Sequence, residues 1–229
     1  MSTPKSIFNI RKKVKSSVKK RKEVWLLAAL TLFLLIPIPV TFFPEHFQII
    51  FVITYSLLII GGIKSVADSR RHVVLAVILG VLSFIFVWIS LFYEPGHTVN
   101  KLRGIFLLLF FLFLAYHVFQ SLALFGEVSF NTIFSSISGY LIIGVIGGLL
   151  FQLLELSFPG SFNFPNAKTE FLDLNYFSFI TLTTIGFGDI TPDSRAARSL
   201  TIVVGIAGQL YLTILVAILV GKFITSSKK

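Results

Sequence analysis

Residues 175–192, NYFSFITLTTIGFGDITP, form the stretch that decides the fold. An apolar run at 174–187 overlaps it, and this run is too short to cross roughly 30 Å of membrane hydrocarbon as a helix. Gly186 and Gly188 occupy alternating positions, where ordinary residues resist the backbone angles that glycine adopts easily. Non-helical backbone is tolerated at membrane depth only where protein surrounds it and it lines a watery path. The stretch therefore predicts a re-entrant segment that lines such a path.

The rest of the chain has the composition of a membrane protein. Its 229 residues are 55% hydrophobic and only 13% charged, with a mean hydropathy of +0.89. A soluble domain of this length could not bury so much apolar surface. Cysteine is absent, which excludes disulfides and thiolate metal sites. Six apolar runs of near-spanning length occur at 24–43, 47–63, 72–93, 102–125, 137–157 and 199–221.

The fold class predicted from these runs is an all-α integral membrane protein with six transmembrane helices. The seventh run adds a re-entrant helix followed by a loop. Pro37 and Pro39, near the far end of the first run, are expected to kink that helix or end it early. No small-residue cleavage site follows the run, so we expect a retained helix rather than a signal peptide.

Basic residues predict the orientation in the membrane. Nine of them lie within residues 1–22, and the net charge is +10. With six crossings, the side of both termini holds fifteen Lys and Arg, and the other side holds Lys101, Arg103, Lys168, Arg195 and Arg198. The excess predicts cytoplasmic N- and C-termini in a cell membrane. Because the charges flank apolar runs, we expect no nucleic-acid partner.

The segment before Pro192 has the chemistry of a cation filter. A narrow pore must replace the water shell of the ion with oxygen ligands, and backbone carbonyls are the hard ligands available. Thr184 can add a hydroxyl at the inner end. We expect a short helix over 174–184, with Asp173 capping its start and its negative C-terminal end pointing at the ion. Nothing resembles a nucleophile–base pair or a phosphate loop, so the chain is not expected to be an enzyme.

TTIGFGD at Thr183–Asp189 resembles the TTVGYGD signature of the potassium-channel pore family, with Ile185 in place of Val and Phe187 in place of Tyr. The resemblance covers roughly 137–225. It implies K⁺ as the permeant ion and no other cofactor. It also implies a homotetramer, because one loop per chain supplies a quarter of a pore ring. The implied ion-binding residues are Thr184, Ile185, Gly186, Phe187 and Gly188, of which Gly188 closes the filter on the outside.

The resemblance also implies residues that support the filter. An aromatic pair, Tyr176 and Phe177, matches the family's cuff around the filter. Ile180 replaces a buried carboxylate present in some members, so we expect Asp189 to accept a hydrogen bond from Tyr176 instead. A carboxylate near the end of the fifth helix is expected either to brace the pore loop or to be an interfacial residue beside the turret, the extracellular segment 158–173. The expected supports are Thr183, Asp189, Tyr176, Phe177 and Glu155.

The final helix carries a candidate hinge and gate. Gly208 aligns with the family's hinge glycine, and a role in tight helix packing remains an equal alternative. Leu212, Val216 and Val220 recur every four residues and therefore share one face. By the resemblance that face lines the cavity, where a ring of such side chains can block ions by dewetting.

The first four helices resemble a voltage-sensor block without its charges. A sensor needs three to four positive charges per subunit on one helix, whereas 102–125 contains only Arg103. His117 and Gln120 within it are expected to hydrogen-bond to neighbouring helices. The predicted division is a basic tail at 1–23, the block at 24–125, a linker at 126–136, a pore domain at 137–225 and a C-terminal end at 226–229.

The function predicted from the sequence is potassium-selective, passive conduction, not gated by a charged fourth helix. Two alternatives stay open. One is a weakly selective cation channel, and the other is a transporter or regulatory subunit with a vestigial filter.

Overall fold

The computed structural model describes residues 23–66, 70–92, 96–124, 130–164 and 170–226. The expected basic tail up to residue 22 and the expected C-terminal end beyond 226 lie outside the described residues. Within the described part, the protein is almost entirely helical, apart from two strands of two residues each.

The elements follow one another in a simple order. Helix α1 covers residues 23–34, and a 3₁₀ turn at Pro44–His46 separates α2 from α3. The remaining elements are α2 Pro37–Phe42, α3 Phe47–Ser65, α4 Arg70–Phe92, α5 His97–Leu124, α6 Phe130–Ser157, β1 Phe162–Asn163, α7 Glu170–Leu182, β2 Thr191–Pro192 and α8 Arg195–Ser226.

Six stretches of the described chain are long and apolar enough to cross a membrane, as predicted. They are Glu23–Phe42, Pro44–Ser65, His72–Ile89, His97–Leu122, Phe130–Ser157 and Arg195–Gly221. Helix α7 has 13 residues and spans only about 20 Å at 1.5 Å per residue. It is therefore too short to cross.

The first span is interrupted where its prolines predict. The helix gives way to a turn at 35–36, and Pro37 starts α2 as its first residue. Proline has no backbone N–H to donate to the preceding turn, so a new helix begins there.

One apolar core joins the first helices to the second half of the chain. Phe33 of α1 packs edge-on against Tyr55 of α3, with ring centroids 5.2 Å apart, and Phe171 of α7 lies 5.3 Å from Phe51 of α3. Buried residues of α5 and α6, among them Phe110 and Leu149, belong to the same core. The four-helix block therefore packs directly against α6 and α7 of its own chain.

The start of α6 differs from the sequence prediction. The helix begins at Phe130, although 126–136 was expected to be a linker and the pore domain was expected to start at 137. Helix α6 thus extends into the expected linker, and the division of the chain into domains stays a prediction. Ser136 is buried and donates to the carbonyl of Thr132 at 2.7 Å, a bond made inside the helix. A serine with that bond is compatible with a helix interior.

Candidate functional site

Helix α7 is held against α6 by a close backbone approach. The Ser178 hydroxyl donates to the carbonyl of Gly144 at 2.7 Å. A methyl group at Gly147 would collide with that hydroxyl, and one at Gly144 would collide with the ring of Phe179. Small residues allow helices to approach this closely. The position of α7, and of the loop that leaves its end, is therefore set by α6.

The C-terminal end of α7 turns sharply into the loop. The N–H of Thr184 donates to the carbonyl of Thr181 at 3.0 Å, and the N–H of Ile185 donates to the carbonyl of Ile180 at 2.9 Å. This pair of bonds is the Schellman motif, in which the left-handed position is usually glycine. Here it is Thr184, with φ of 60°. A β-branched residue in that conformation costs about 1–2 kcal/mol, which the surrounding bonds must offset.

Left-handed backbone recurs at every second residue of the loop. After Thr184, Gly186 has φ of 56° and Gly188 has φ of 79°. At both glycines the space around a notional Cβ is open to 4 Å, so the backbone angle rather than crowding requires glycine. The predicted need for glycine at these alternating positions is confirmed.

The two threonines at the start of the loop differ. The hydroxyl of Thr183 donates back to the carbonyl of Phe179 at 2.7 Å. No hydrogen bond holds the hydroxyl of Thr184 within the described part of the chain, and the residue is exposed. Thr184 is therefore the one whose hydroxyl can meet a ligand.

A hydrogen bond spans the loop from α7 to its far end. The hydroxyl of Tyr176 donates to Oδ2 of Asp189 at 2.8 Å, which confirms the predicted bond. The two residues of the expected aromatic pair differ in their burial. Phe177 is buried with its ring 5.1 Å from that of Phe151 and 5.7 Å from that of Phe162. Only Tyr176 is exposed on the side of the loop.

Glu155, at the end of α6, binds the backbone of the turret. Its buried carboxylate accepts from the N–H of Gly160 at 2.7 Å and from the N–H of Phe162 at 3.1 Å. Phe162 in β1 pairs with Pro192 in β2, directly after the loop. Glu155, on α6, is therefore bonded to the turret backbone whose strand pairs with the segment after the loop, and both of its expected roles stay predictions. The β1–β2 pair has no signal in the sequence.

Gly208 lies where α8 crosses the end of α7. A methyl group there would collide with the carbonyl oxygen of Leu182 and would lie 2.8 Å from its Cδ1 atom. The same carbonyl accepts from the hydroxyl of Tyr140 on α6 at 3.3 Å. Helix α8 continues unbroken through this position. The packing role of Gly208 therefore has a visible contact, and the hinge role stays a prediction. The sequence did not identify Tyr140 as a contact of the loop, because a single tyrosine in an apolar run does not indicate which neighbour its hydroxyl meets.

The structure also locates the residue expected to cap α7 and the residues expected to form the gate. Asp173 lies inside α7, which is helical from Glu170, so the helix starts before the residue that was expected to precede it. The prediction failed because a capping residue type also occurs inside a first turn. Leu212, Val216 and Val220 lie exposed on α8, one to three turns beyond Gly208 and apart from the loop.

The oxygen atoms that this loop offers are backbone carbonyls and one hydroxyl rather than clustered carboxylates. Among the described residues, no group of three or more His, Asp or Glu side chains could hold a metal ion. The exposed loop from Thr184 to Gly188 offers carbonyl oxygens and one hydroxyl, which are hard ligands suited to an alkali cation.

Six apolar helices of spanning length and an exposed carbonyl-bearing loop on a short helix define a multi-pass membrane protein with a candidate ion path. The sequence model of a family described as "Ion channel" matches residues 105–225, just over half of the chain. The chain belongs to this ion channel family. The match points to a channel rather than an enzyme, and it begins inside α5, well before the predicted pore domain.

A viral protein resembles part of the chain. The potassium channel protein kcv of Paramecium bursaria Chlorella virus 1 is 39% identical over 59 residues. The match covers 23% of this chain and 63% of the viral protein, less than two thirds of its length. No solved structure matches the chain significantly. These comparisons support membership of the potassium channel pore family.

Proposed function

We propose that this chain is one subunit of a homotetrameric channel that conducts K⁺ passively and selectively across a cell membrane. The observation that carries the proposal is the left-handed backbone at Thr184, Gly186 and Gly188, in an exposed loop at the end of α7. This alternation lets successive carbonyls turn to the same side. In the proposal, Thr184, Ile185, Gly186 and Phe187 bind K⁺, and Gly188 closes the filter outside.

The exposure of the loop favours an assembly of several copies. Phe187 is 71% exposed and Ile185 is 55% exposed, on non-helical backbone. In lipid, unpaired backbone groups cost several kcal/mol each, so such a loop must be enclosed by protein or line water. A ring of four copies around a shared axis, with α7 re-entrant in each, satisfies both requirements.

The remaining parts of the proposal concern orientation and gating. In the proposal both termini lie in the cytoplasm, which the excess of basic residues on their side of the membrane favours. Leu212, Val216 and Val220 then lie on the cytoplasmic half of α8, where the axis-facing side chains of four copies can close the path by dewetting. No cofactor takes part, and K⁺ is the permeant ion.

The test is a flux measurement on the purified chain in lipid vesicles. We expect a reversal potential set by the K⁺ gradient in mixed K⁺ and Na⁺ solutions, with at least about tenfold preference for K⁺, or 1.4 kcal/mol. Equal permeability of both ions would identify a weakly selective cation channel. Absent flux, or flux coupled to a second ion, would favour a transporter or a vestigial filter.

A further inference from the structure

Gln209 places a polar side chain near the middle of the last spanning helix. The apolar stretch Arg195–Gly221 runs along α8, and Gln209 lies well away from both of its ends. The residue is exposed, and no hydrogen bond holds its carboxamide within the described part of the chain. An unpaired amide is unfavourable in lipid, so it must meet water or another protein group. Gln209 therefore needs a partner that the described residues of one copy do not supply.

Other polar side chains of the same helix do not share this need. The hydroxyls of Thr201 and Thr213 donate to carbonyls of their own helix, each at 2.8 Å. The hydroxyl of Tyr211 donates to the carbonyl of Ser136 on α6 at 2.6 Å. The carboxamide of Gln209 has both donors and an acceptor to satisfy. Its exposure therefore calls for an explanation that these three hydroxyls do not require.

The side of α8 that carries Gln209 is turned away from α6. Tyr211 faces α6 through its bond to that helix, and Val204 faces it as well, since a methyl group at Gly147 would lie 3.2 Å from Cγ1 of Val204. At about 100° per residue, Gln209 lies roughly 140–160° around the helix from both residues. The carboxamide therefore projects away from the packed side of α8.

Two residues of the expected gate lie on the same side as Gln209. Leu212 and Val216 follow it by three and seven positions, which is the spacing of one helical face. Their exposed fractions are 38% and 57%. In the proposed channel this face lines the ion path on the cytoplasmic side of the loop. Gln209 is then its polar member.

Gln209 also lies beside the inner end of the loop. Its neighbour Gly208 packs against the end of α7, where an added methyl group would collide with the carbonyl oxygen of Leu182. Leu182 comes two residues before Thr184, the first residue of the loop with left-handed backbone. An ion that leaves the loop at this end therefore reaches the level of Gln209 before that of the expected gate.

We propose that Gln209 lines the ion path, where the carboxamides of the four copies form a polar ring between Thr184 and the gate. Water molecules around a cation turn their hydrogens outward and donate to the carboxamide oxygens. The ring thus receives a cation with its water shell, whereas the carbonyls of the loop replace that shell. This inference rests on the proposed function and adds a residue that sets the conductance without setting selectivity.

The first test changes the charge at position 209 in single-channel recordings from planar bilayers. A carboxylate beside the ion path attracts cations and an ammonium repels them. At low salt we expect Gln209→Glu to raise the K⁺ conductance about twofold and Gln209→Lys to lower it about fivefold or more. Both effects should shrink at about 1 M salt, where the Debye length is only about 3 Å. The reversal potential in mixed K⁺ and Na⁺ solutions should not change, because the loop sets selectivity.

The second test measures the access of water to position 209 in vesicles. The chain contains no cysteine, so Gln209→Cys introduces its sole thiol. A trimethylammonium methanethiosulfonate should modify this thiol about tenfold faster or more than that of Leu210→Cys, because the reactive thiolate forms in water. Leu210 is the matched control, since it is 55% exposed but lies on another side of α8. The positive charge added at position 209 should lower K⁺ flux about fivefold or more.

The two tests separate this inference from the proposed function. The mass of the chain reports the modification whether or not the channel conducts. A chain without K⁺ flux that is still modified from water at position 209 would refute the proposed function and support a water-lined path here. If Gln209→Lys fails to assemble, the modified Gln209→Cys channel supplies the positive charge after assembly.

Three results would overturn the inference about Gln209. Equal losses of conductance in Gln209→Glu and Gln209→Lys would show a structural role. A Gln209→Cys thiol that reacts only with a membrane-soluble maleimide would place the side chain in lipid. A thiol that neither reagent modifies, in a channel whose conductance responds to neither charge, would place the side chain between copies and away from the path.

Discussion

Thr184 occupies a left-handed position that glycine would hold at lower cost. The strain is about 1–2 kcal/mol for a β-branched residue. Glycine has no hydroxyl, and Thr184 is the threonine of the pair whose hydroxyl is not bonded back to α7 within the described chain. If the Thr184 hydroxyl oxygen is an ion ligand, this explains why threonine rather than glycine occupies the position, in agreement with the proposed filter.

Gly186→Ala tests the backbone requirement. An alanine at φ of 56° is strained by about 1–2 kcal/mol, enough to change a conformational population by a factor of about 5–30. We expect K⁺ flux into vesicles to fall at least about tenfold, since every copy carries the change. The matched control is Gly96→Ala, where the added methyl meets open space and φ is not positive. Flux that survives Gly186→Ala at the control level would contradict the filter assignment.

Tyr176→Phe tests the bond across the loop. The change removes the 2.8 Å hydrogen bond to Asp189 and leaves the ring. Such a bond to an ionised group contributes about 1–3 kcal/mol, and the exposure of this pair puts it at the lower end. We expect sustained current to decay about three- to tenfold faster in patch recordings. Tyr116→Phe, the same change at an exposed position of α5, is the control. Unchanged decay in Tyr176→Phe would show that the bond does not stabilise the filter.

At the scale of helices, the pore half of the chain depends on a few contacts between elements. α6 receives Ser178 of α7 at Gly144 and provides Tyr140 to the end of α7. Helix α8 packs against the C-terminal end of α7 at Gly208. Three helices therefore meet at Leu182, two residues before Thr184.

Gly208→Ala separates packing from hinge motion. The added methyl would collide with the carbonyl of Leu182, so we expect a lower unfolding temperature of the purified channel as well as lower current. Gly205→Ala is the control, because its methyl would lie 3.8 Å from Thr181 and alanine favours a helix by about 1 kcal/mol. A Gly208→Ala channel with unchanged thermal stability but altered opening would instead support the hinge.

Glu155→Gln tests the support of the turret. The neutral amide keeps one acceptor oxygen where the carboxylate binds two backbone N–H groups, at 2.7 and 3.1 Å. Losing one bond to a buried charged group costs about 1–3 kcal/mol, so the unfolding midpoint should drop by about 3 °C or more. Glu45→Gln alters an exposed carboxylate at a turn between helices and should not shift it. Equal midpoints for both variants would remove Glu155 from the supports of the loop.

At the scale of the whole molecule, the first four helices are joined to the pore half without a charged sensor. Their core continues into α6 and reaches α7 at Phe171. The fourth spanning helix carries Arg103 near one end and the His72–His117 ring contact near the other, with centroids 5.9 Å apart. The block therefore stabilises the pore half by apolar packing.

Arg103→Gln tests whether the block senses voltage. One charge per subunit is well short of the three to four that make opening steeply voltage-dependent. We expect a shallow relation between open probability and voltage, unchanged by the substitution, in recordings from planar bilayers. A steep relation that Arg103→Gln abolishes would overturn this view.

Some features of this chain were predictable from its sequence and others were not. The six spans were predictable because apolar run length relates directly to bilayer thickness. The start of α6 was not predictable, because serines that hydrogen-bond within a helix resemble the polar residues of a linker. The position of Asp173 was misjudged for a similar reason, since a carboxylate suits both a cap and a first turn. The Tyr176–Asp189 bond was predicted, but only through the resemblance to the family.

The sequence by itself determined the membrane class and the candidate filter, because run length and the missing Cβ of Gly186 and Gly188 act locally. Tertiary structure decided what depends on contacts between distant residues. It placed Gly208 against Leu182, joined Glu155 to the segment after the loop through β1 and β2, and left an apolar cavity beside Ile218, between α5, α6 and α8. Such contacts depend on how helices pack, and no local pattern encodes the space left between them.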